Sequence, residues 1–295
     1  MNKPKALREL LRRPGIVVTP GAYDALSARL VEQAGFEMVA VTGAGVAASR
    51  LGAPDMGLVT MSEMVDQVAN IVNAVDVPVF ADCETGFGGV LNVMRTVQAL
   101  ERAGVAGLFL EDQTYPPRCG HFANKSVISI DEMVLKIKAA IKARENPDLM
   151  IMARTDARAV EGLASALTRA RAYAEAGADS LMVESPTTKE EVAEVAASLA
   201  DLAIPLKANM AEGGSTPLHT AAELESLGYK FAHFPGACQK VALKAMSNFL
   251  KELRTSGSID SYFPSKMATL DERSEILGLQ KYMDIEKILM GELSA

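Results

Sequence analysis

VLNVMRTVQALERAGVAGLFLED, residues 90–112, decides the fold. As far as Ala103 its apolar residues recur at helical period. Gly104 then offers a left-handed cap at little steric cost. VAGLFL (105–110) is a short, wholly apolar run of the kind found in buried parallel strands, and it stops abruptly at Glu111 and Asp112. Helix, glycine, buried strand and a charged strand end follow in that order.

The same order recurs along the chain. Strand-like runs stand at 15–21 (GIVVTPG), 36–43 (FEMVAVTG), 77–84 (VPVFADCE), 105–112, 149–156 (LMIMARTD), 179–185 (DSLMVES), 204–210 (IPLKANM) and 229–235 (YKFAHFP). Segments of helical period such as AYDALSARLVEQA and IDEMVLKIKAAIKARE separate them, and Gly35, Gly104, Gly177 and Gly228 close helices just before strands. About eight βα units in roughly 240 residues predict an α/β protein, a (β/α)₈ TIM-type barrel. A doubly wound sheet, the main alternative, usually has fewer strands.

The barrel is expected over residues 1–256, as the catalytic domain. Residues 257–295 fall outside the rhythm and predict a C-terminal helical extension. TLDERSEILGLQKYMDIEKILMGEL (269–293) has helical spacing, with Leu270, Ile276, Leu277, Leu279 and Tyr282 available for one apolar face. Breaks at Ser256, Gly257 and Pro264 would let this helix swing onto a neighbouring subunit.

Charge and composition narrow the function. The net charge of −7 and the lack of a basic cluster with interleaved aromatics argue against nucleic-acid binding, and 49% hydrophobic with 23% charged residues is globular. No window approaches a membrane span, and the N-terminus reads as an amphipathic helix rather than a signal peptide. Cys83, Cys119 and Cys238 are odd in number and widely spaced, which fits reduced thiols in the cytoplasm.

In a barrel the active site lies at the C-terminal ends of the strands. Those ends carry Thr42, Asp82 with Glu84, Glu111 with Asp112, Arg154 with Asp156, Glu184 and Asn209. Ionisable groups converging there without a partner would cost several kcal/mol each. Asp82, Glu84 and Glu111 are hard oxygen donors and predict a metal, Mg²⁺ or Mn²⁺, that keeps several waters. Arg154 is the natural fork for a substrate carboxylate. VTGAGVAAS (41–49) resembles a dinucleotide fingerprint only weakly and reads instead as backbone amides for an anionic substrate group.

After Glu111 comes a Pro- and Gly-rich loop with Arg118, Cys119, Gly120 and His121. A thiol in a loop over a metal site is either an acid–base group or part of a gate, against the plainer case of a packed cysteine and a surface histidine. Cys83 and Cys238 read as packed thiols, and His219 as a helix-start residue.

DCETGFG, LEDQ…RCGH, ARTDA, VES and ANMAEGG, in this order, resemble the isocitrate lyase/phosphoenolpyruvate mutase superfamily, nearest to its 2-methylisocitrate and alkylmalate lyases. The likeness runs from about residue 5 to 255 and implies a Mg²⁺-dependent barrel, usually a homotetramer with its last helix exchanged between subunits. It implies that Asp82 binds the metal directly, with Glu84 and Glu111 acting through water. Asp55 then corresponds to the acid at the substrate, and Cys119 to the catalytic thiol. Thr42, Gly43 and Ala44 hold the 2-oxo acid portion, and Gly120, His121, Arg154, Glu184 and Asn209 contact the substrate.

Two positions depart from the pattern: Glu84 stands where the family has aspartate, and Pro117 where its lyases have lysine. The expected activity is retro-aldol cleavage of a substituted malate-like 2-hydroxy acid to a 2-oxo acid, such as pyruvate, and a second carboxylate. The alternatives are a phosphonomutase of carboxyvinyl-carboxyphosphonate or phosphoenolpyruvate type, an oxaloacetate hydrolase or decarboxylase on the same metal site, or a catalytically silent barrel. No nucleic-acid or membrane partner is expected, only a small carboxylic acid.

Overall fold

A computed structural model describes residues 2–122 and 124–293. Among them, eight parallel strands pair in chain order and close into a barrel. They are β1 (Val17–Ala22), β2 (Val39–Val41), β3 (Val79–Asp82), β4 (Gly107–Glu111), β5 (Met150–Thr155), β6 (Ser180–Val183), β7 (Leu206–Asn209) and β8 (Phe231–Phe234). Every strand expected from the sequence is present, each shorter than its apolar run, with β1 reaching one residue past its run to Ala22.

Side-chain alternation along these strands makes two cores. Leu108, Leu110, Ile151, Ala153, Leu181 and Val183 face outward and pack with the surrounding helices. Phe80, Phe109, Met150, Met152, Met182 and Phe231 fill the barrel interior. The N-terminal helix Lys3–Arg12 adds Leu7 and Leu10 to that interior cluster. Its Arg8 is tied down by Asp148 O at 2.8 Å and by the Asp179 carboxylate at 2.9 Å. The glycines read as helix caps do take left-handed backbone, Gly104 at φ 91° among them.

The chain divides into two compact units, Met1–Gln239 and Lys240–Ala295. Within the second, Phe249 and Tyr262 meet edge to face at 5.1 Å. The helix expected over 269–293 is two, Leu270–Leu277 and Leu279–Leu293, because Gly278 adopts left-handed backbone between them at φ 70°. That break interrupts the single apolar stripe from Leu270 to Tyr282. No helix among the described residues is long and apolar enough to cross a membrane.

Candidate active site

The inward parity that places Phe80 and Phe109 in the interior places Asp82 and Glu111 two residues on, at the barrel's C-terminal rim. Arg154, Glu184 and Asn209 follow the same rule after Met152, Met182 and Lys207. Asp82 accepts two backbone N–H bonds, from Gly43 at 2.8 Å and from Glu84 at 2.9 Å. Glu84 folds back over it with a left-handed backbone, φ 50°. A Cβ on Gly43 would lie 2.2 Å from the Glu84 carboxylate, so a larger residue here would displace the longer acid from this position. Thr42 uses its hydroxyl to cap the short helix Gly43–Val46, accepting from Gly45 N at 3.2 Å, and Ala44 faces solvent. The Gly43 amide, expected to hold a substrate anion, is thus already engaged by Asp82.

Burial raises the pKa of Asp82, Glu84 and Glu111, and for both glutamates the neighbouring carboxylates push further in the same direction. Asp55, half-buried beside them, is pushed up to about 6 by burial and then by the charge of Asp82. Glu111 Oε1 is buried without a hydrogen-bond partner, as is Asn209 Oδ1. Mutually repelling acids and an unpaired carboxylate oxygen fit a hard divalent cation. Among the described residues no three His, Cys, Asp or Glu side chains form a ready-made metal shell, so such an ion would take further ligands from water or substrate.

Arg154, the expected fork for a substrate carboxylate, also binds carboxylates of the protein. Its Nε and Nη2 make a bidentate pair with Asp156 at 2.8 and 3.0 Å, and Nη1 lies 3.1 Å from Glu111 Oε2. Asp156, just past the strand, turns back beneath the guanidinium and orients it. Asn209 Nδ2 donates to both oxygens of Glu184, at 3.2 and 3.0 Å. Asp112, paired with Glu111 in the sequence, points the other way. It accepts from Thr155 Oγ1, Asp156 N and Tyr173 OH, which makes it a strut rather than a site residue.

The CGH loop reaches this rim. Cys119 N donates to Asp55 O at 3.2 Å, joining two of the expected catalytic residues through backbone. Burial raises the Cys119 thiol above its ordinary value, against the opposing hydrogen bond from the His121 amide. At neutral pH the sulfur is therefore a thiol, able to give a proton. His121 Nδ1 accepts from Ser215 N at 3.2 Å, so Nε2 carries the proton and lies 3.4 Å from Glu184 Oε1. Gly120 passes so close to the barrel that a Cβ would lie 2.5 Å from Arg154 Nη2 and 2.7 Å from Glu184 Cγ. Cys83 is sealed in the outer core, as expected, and His219, which bonds Pro217 O, stands one residue before Thr220, the cap of the helix Ala221–Leu227.

Sequence reasoning passed over Lys207, although it stands two residues before Asn209 and so shares its inward parity. The ammonium lies 4.3 Å from the centre of the Phe109 ring, and burial brings its pKa down to about 7 despite the charges of Asp82 and Glu184. Lys207→Met is expected to stabilise the metal-free protein by about 1–3 kcal/mol at pH 7, since a desolvated charge is replaced by a side chain suited to its surroundings. The unfolded lysine titrates near 10, so the wild type gains stability as pH rises from about 7 towards 10, and the variant's advantage shrinks. Melting curves in chelator at pH 7 and 9 check this; a destabilised variant would refute it.

Comparison with known proteins shows relatives along nearly the whole chain. Residues 7–254 match the family model for phosphoenolpyruvate phosphomutase. The chain is 47% identical to 2,3-dimethylmalate lyase of Eubacterium barkeri over 97% of its length and 98% of the relative's. It is 43% identical to a 2-methylisocitrate lyase of Aeropyrum pernix, covering 95% of this chain and 88% of that one. A solved oxaloacetate acetylhydrolase, in complex with the inhibitor 3,3-difluorooxalacetate, superposes with a TM-score of 0.92 at 37% identity, over 97% of this chain and 96% of the other.

Proposed function

The chain belongs to the phosphoenolpyruvate phosphomutase family, and from that premise we propose that it is a metal-dependent carbon–carbon lyase whose substrate is a substituted malate, 2,3-dimethylmalate first. The observation that carries the reading is the Cys119 loop, bonded to Asp55 O through the Cys119 amide and docked over a rim of buried acids with an unpaired oxygen.

Asp82 would bind the ion directly, with Glu84 and Glu111 beyond its waters; Mg²⁺ suits such donors first and Mn²⁺ second. The bound ion supplies Lewis acidity at the substrate's 2-oxygen. Asp55, with its pKa near 6, takes the hydroxyl proton at neutral pH. As the C2–C3 bond breaks, C2 becomes a ketone and the electron pair passes to C3, delocalised into its carboxylate. The Cys119 thiol protonates C3, and the nearby His121 amide and Arg154 charge favour the thiolate left behind. The products are a 2-oxo acid and a carboxylate, pyruvate and propionate from 2,3-dimethylmalate. Thr42, Gly43 and Ala44 border the 2-oxo acid portion, and Gly120, His121, Arg154, Glu184 and Asn209 border the other carboxylate.

A second reading, oxaloacetate hydrolysis, is favoured by the close superposition on oxaloacetate acetylhydrolase. Purified protein with Mg²⁺ separates the two when incubated with 2,3-dimethylmalate, other alkylmalates, methylisocitrate, isocitrate, oxaloacetate and phosphonopyruvate, products being followed by mass spectrometry. Release of pyruvate from an alkylmalate, lost with chelator, is expected. Turnover of oxaloacetate alone would establish the second reading instead.

The segment 257–295 exposes Leu270, Leu279, Tyr282, Ile285, Ile288 and Leu289. Such a surface supports packing of residues 257–295 on a neighbouring subunit, within a homotetramer. Free Cys83, Cys119 and Cys238 support a reducing, cytoplasmic setting.

A further inference from the structure

Lys125 lies six residues beyond Cys119 and no part of the chemistry above uses it, yet its side chain is only 1% exposed. The ammonium bridges two acceptors. One is the carbonyl of Gly120, inside the loop, and the other is Asp156 Oδ1 on the barrel, at 2.8 Å. Asp156 in turn holds Arg154 by both of its oxygens, and Arg154 reaches Glu111. One buried ammonium therefore connects the backbone next to the thiol with the acids of the rim.

The stem of the loop makes this connection directional. Gln113 pairs with Val127, and Thr114 N donates to Ser126 O at 2.9 Å, so the loop's two ends are fastened beside Lys125. From that fixed point the side chain reaches back to the tip. Ser185 Oγ adds a second donor to Gly120 O, at 2.9 Å. The absent Cβ of Gly120 lets the tip settle against Arg154 and Glu184.

We propose that Lys125 is a positioning residue, the clasp that ties the Gly120 carbonyl to Asp156 and so holds the Cys119 thiol over the rim of acids. The proposal rests on the lyase reading for what the thiol does, but not for whether the clasp exists. A buried ammonium is suited to the task because it satisfies two acceptors on separate elements from one atom. Without it, Gly120 O keeps one weaker donor and Asp156 keeps one cation.

Thiol reactivity tests the clasp without any substrate. Full-length wild type and Lys125→Met are pulsed with iodoacetamide at neutral pH, and the alkylation of each cysteine is read by peptide mass spectrometry. In the variant, Cys119 is expected to react about tenfold faster or more as the loop opens, with Cys83 still protected. On the cleaved substrate kcat should fall about 10²-fold with KM little changed, because the thiol is displaced while the binding groups remain. An unchanged Cys119 rate in a protein whose Cys83 stays protected overturns the proposal. Should Cys83 also react, the fold is lost and Lys125→Arg decides. It keeps a cation beside Asp156 but cannot serve both acceptors from one atom, so a rise at Cys119 of about threefold is expected and none would refute the clasp. If the panel shows no lyase activity, the alkylation rates still judge the clasp.

Discussion

Cys119→Ser is expected to lower alkylmalate cleavage by about 10²–10⁴-fold while substrate still binds. A hydroxyl can occupy the place of the thiol and accept the same His121 amide, so the loop should dock as before. What changes is acidity. Burial keeps the Cys119 sulfur protonated at neutral pH, yet a thiolate, helped by that amide and the charge of Arg154, is an attainable product of proton transfer. An alkoxide in the same place is not, because serine is a far weaker acid. The carbanion at C3 would then wait for solvent, or recombine with the ketone still beside it. Calorimetric titration of the variant with substrate and Mg²⁺ separates binding from chemistry. Turnover within tenfold of wild type would remove Cys119 from the reaction and assign the protonation of C3 to water or to another group at the rim.

The barrel was legible because its evidence is repetitive. Each strand-like run from GIVVTPG to YKFAHFP becomes a strand, and parity along β3 and β4 aims Asp82 and Glu111 inward just as it aims Phe80 and Phe109. Parity also reaches Lys207, which could have been found from its spacing to Asn209. What was not legible depends on side chains that cross between elements. Arg154 reads as a free fork for substrate until Asp156 is seen folded beneath it. Gly43 reads as an amide donor for an anion until Asp82, from the next strand, takes it. Lys125 gives no signal, since a loop lysine is ordinarily solvated and only the closed loop makes it a bridge. In the tail, helical spacing outweighed Gly278, although a glycine at that place is a recognised helix stop.

Asp82→Asn is expected to weaken Mg²⁺ binding by more than about 10²-fold and to bring turnover close to background. Charge accounts for only part of this. Asp82 receives N–H bonds on both of its oxygens, from Gly43 and from Glu84. Asparagine has one oxygen, so one of those amides would meet an NH₂ donor instead. The displaced amide is either that of Glu84, whose left-handed backbone sets its carboxylate over the site, or that of Gly43, beside Thr42. Either way a second group at the rim moves together with the lost charge. Glu111→Gln makes the useful contrast, because among the described residues the Glu111 carboxylate receives no backbone N–H and it would meet the ion only through water. Its affinity should fall by about tenfold, with Arg154 losing one of three carboxylate neighbours. Titration of Mn²⁺ followed by electron paramagnetic resonance measures both variants without substrate. Equal losses in the two would mean that Asp82 holds no special place at the metal, and Asp82→Asn with wild-type affinity would move the ion elsewhere.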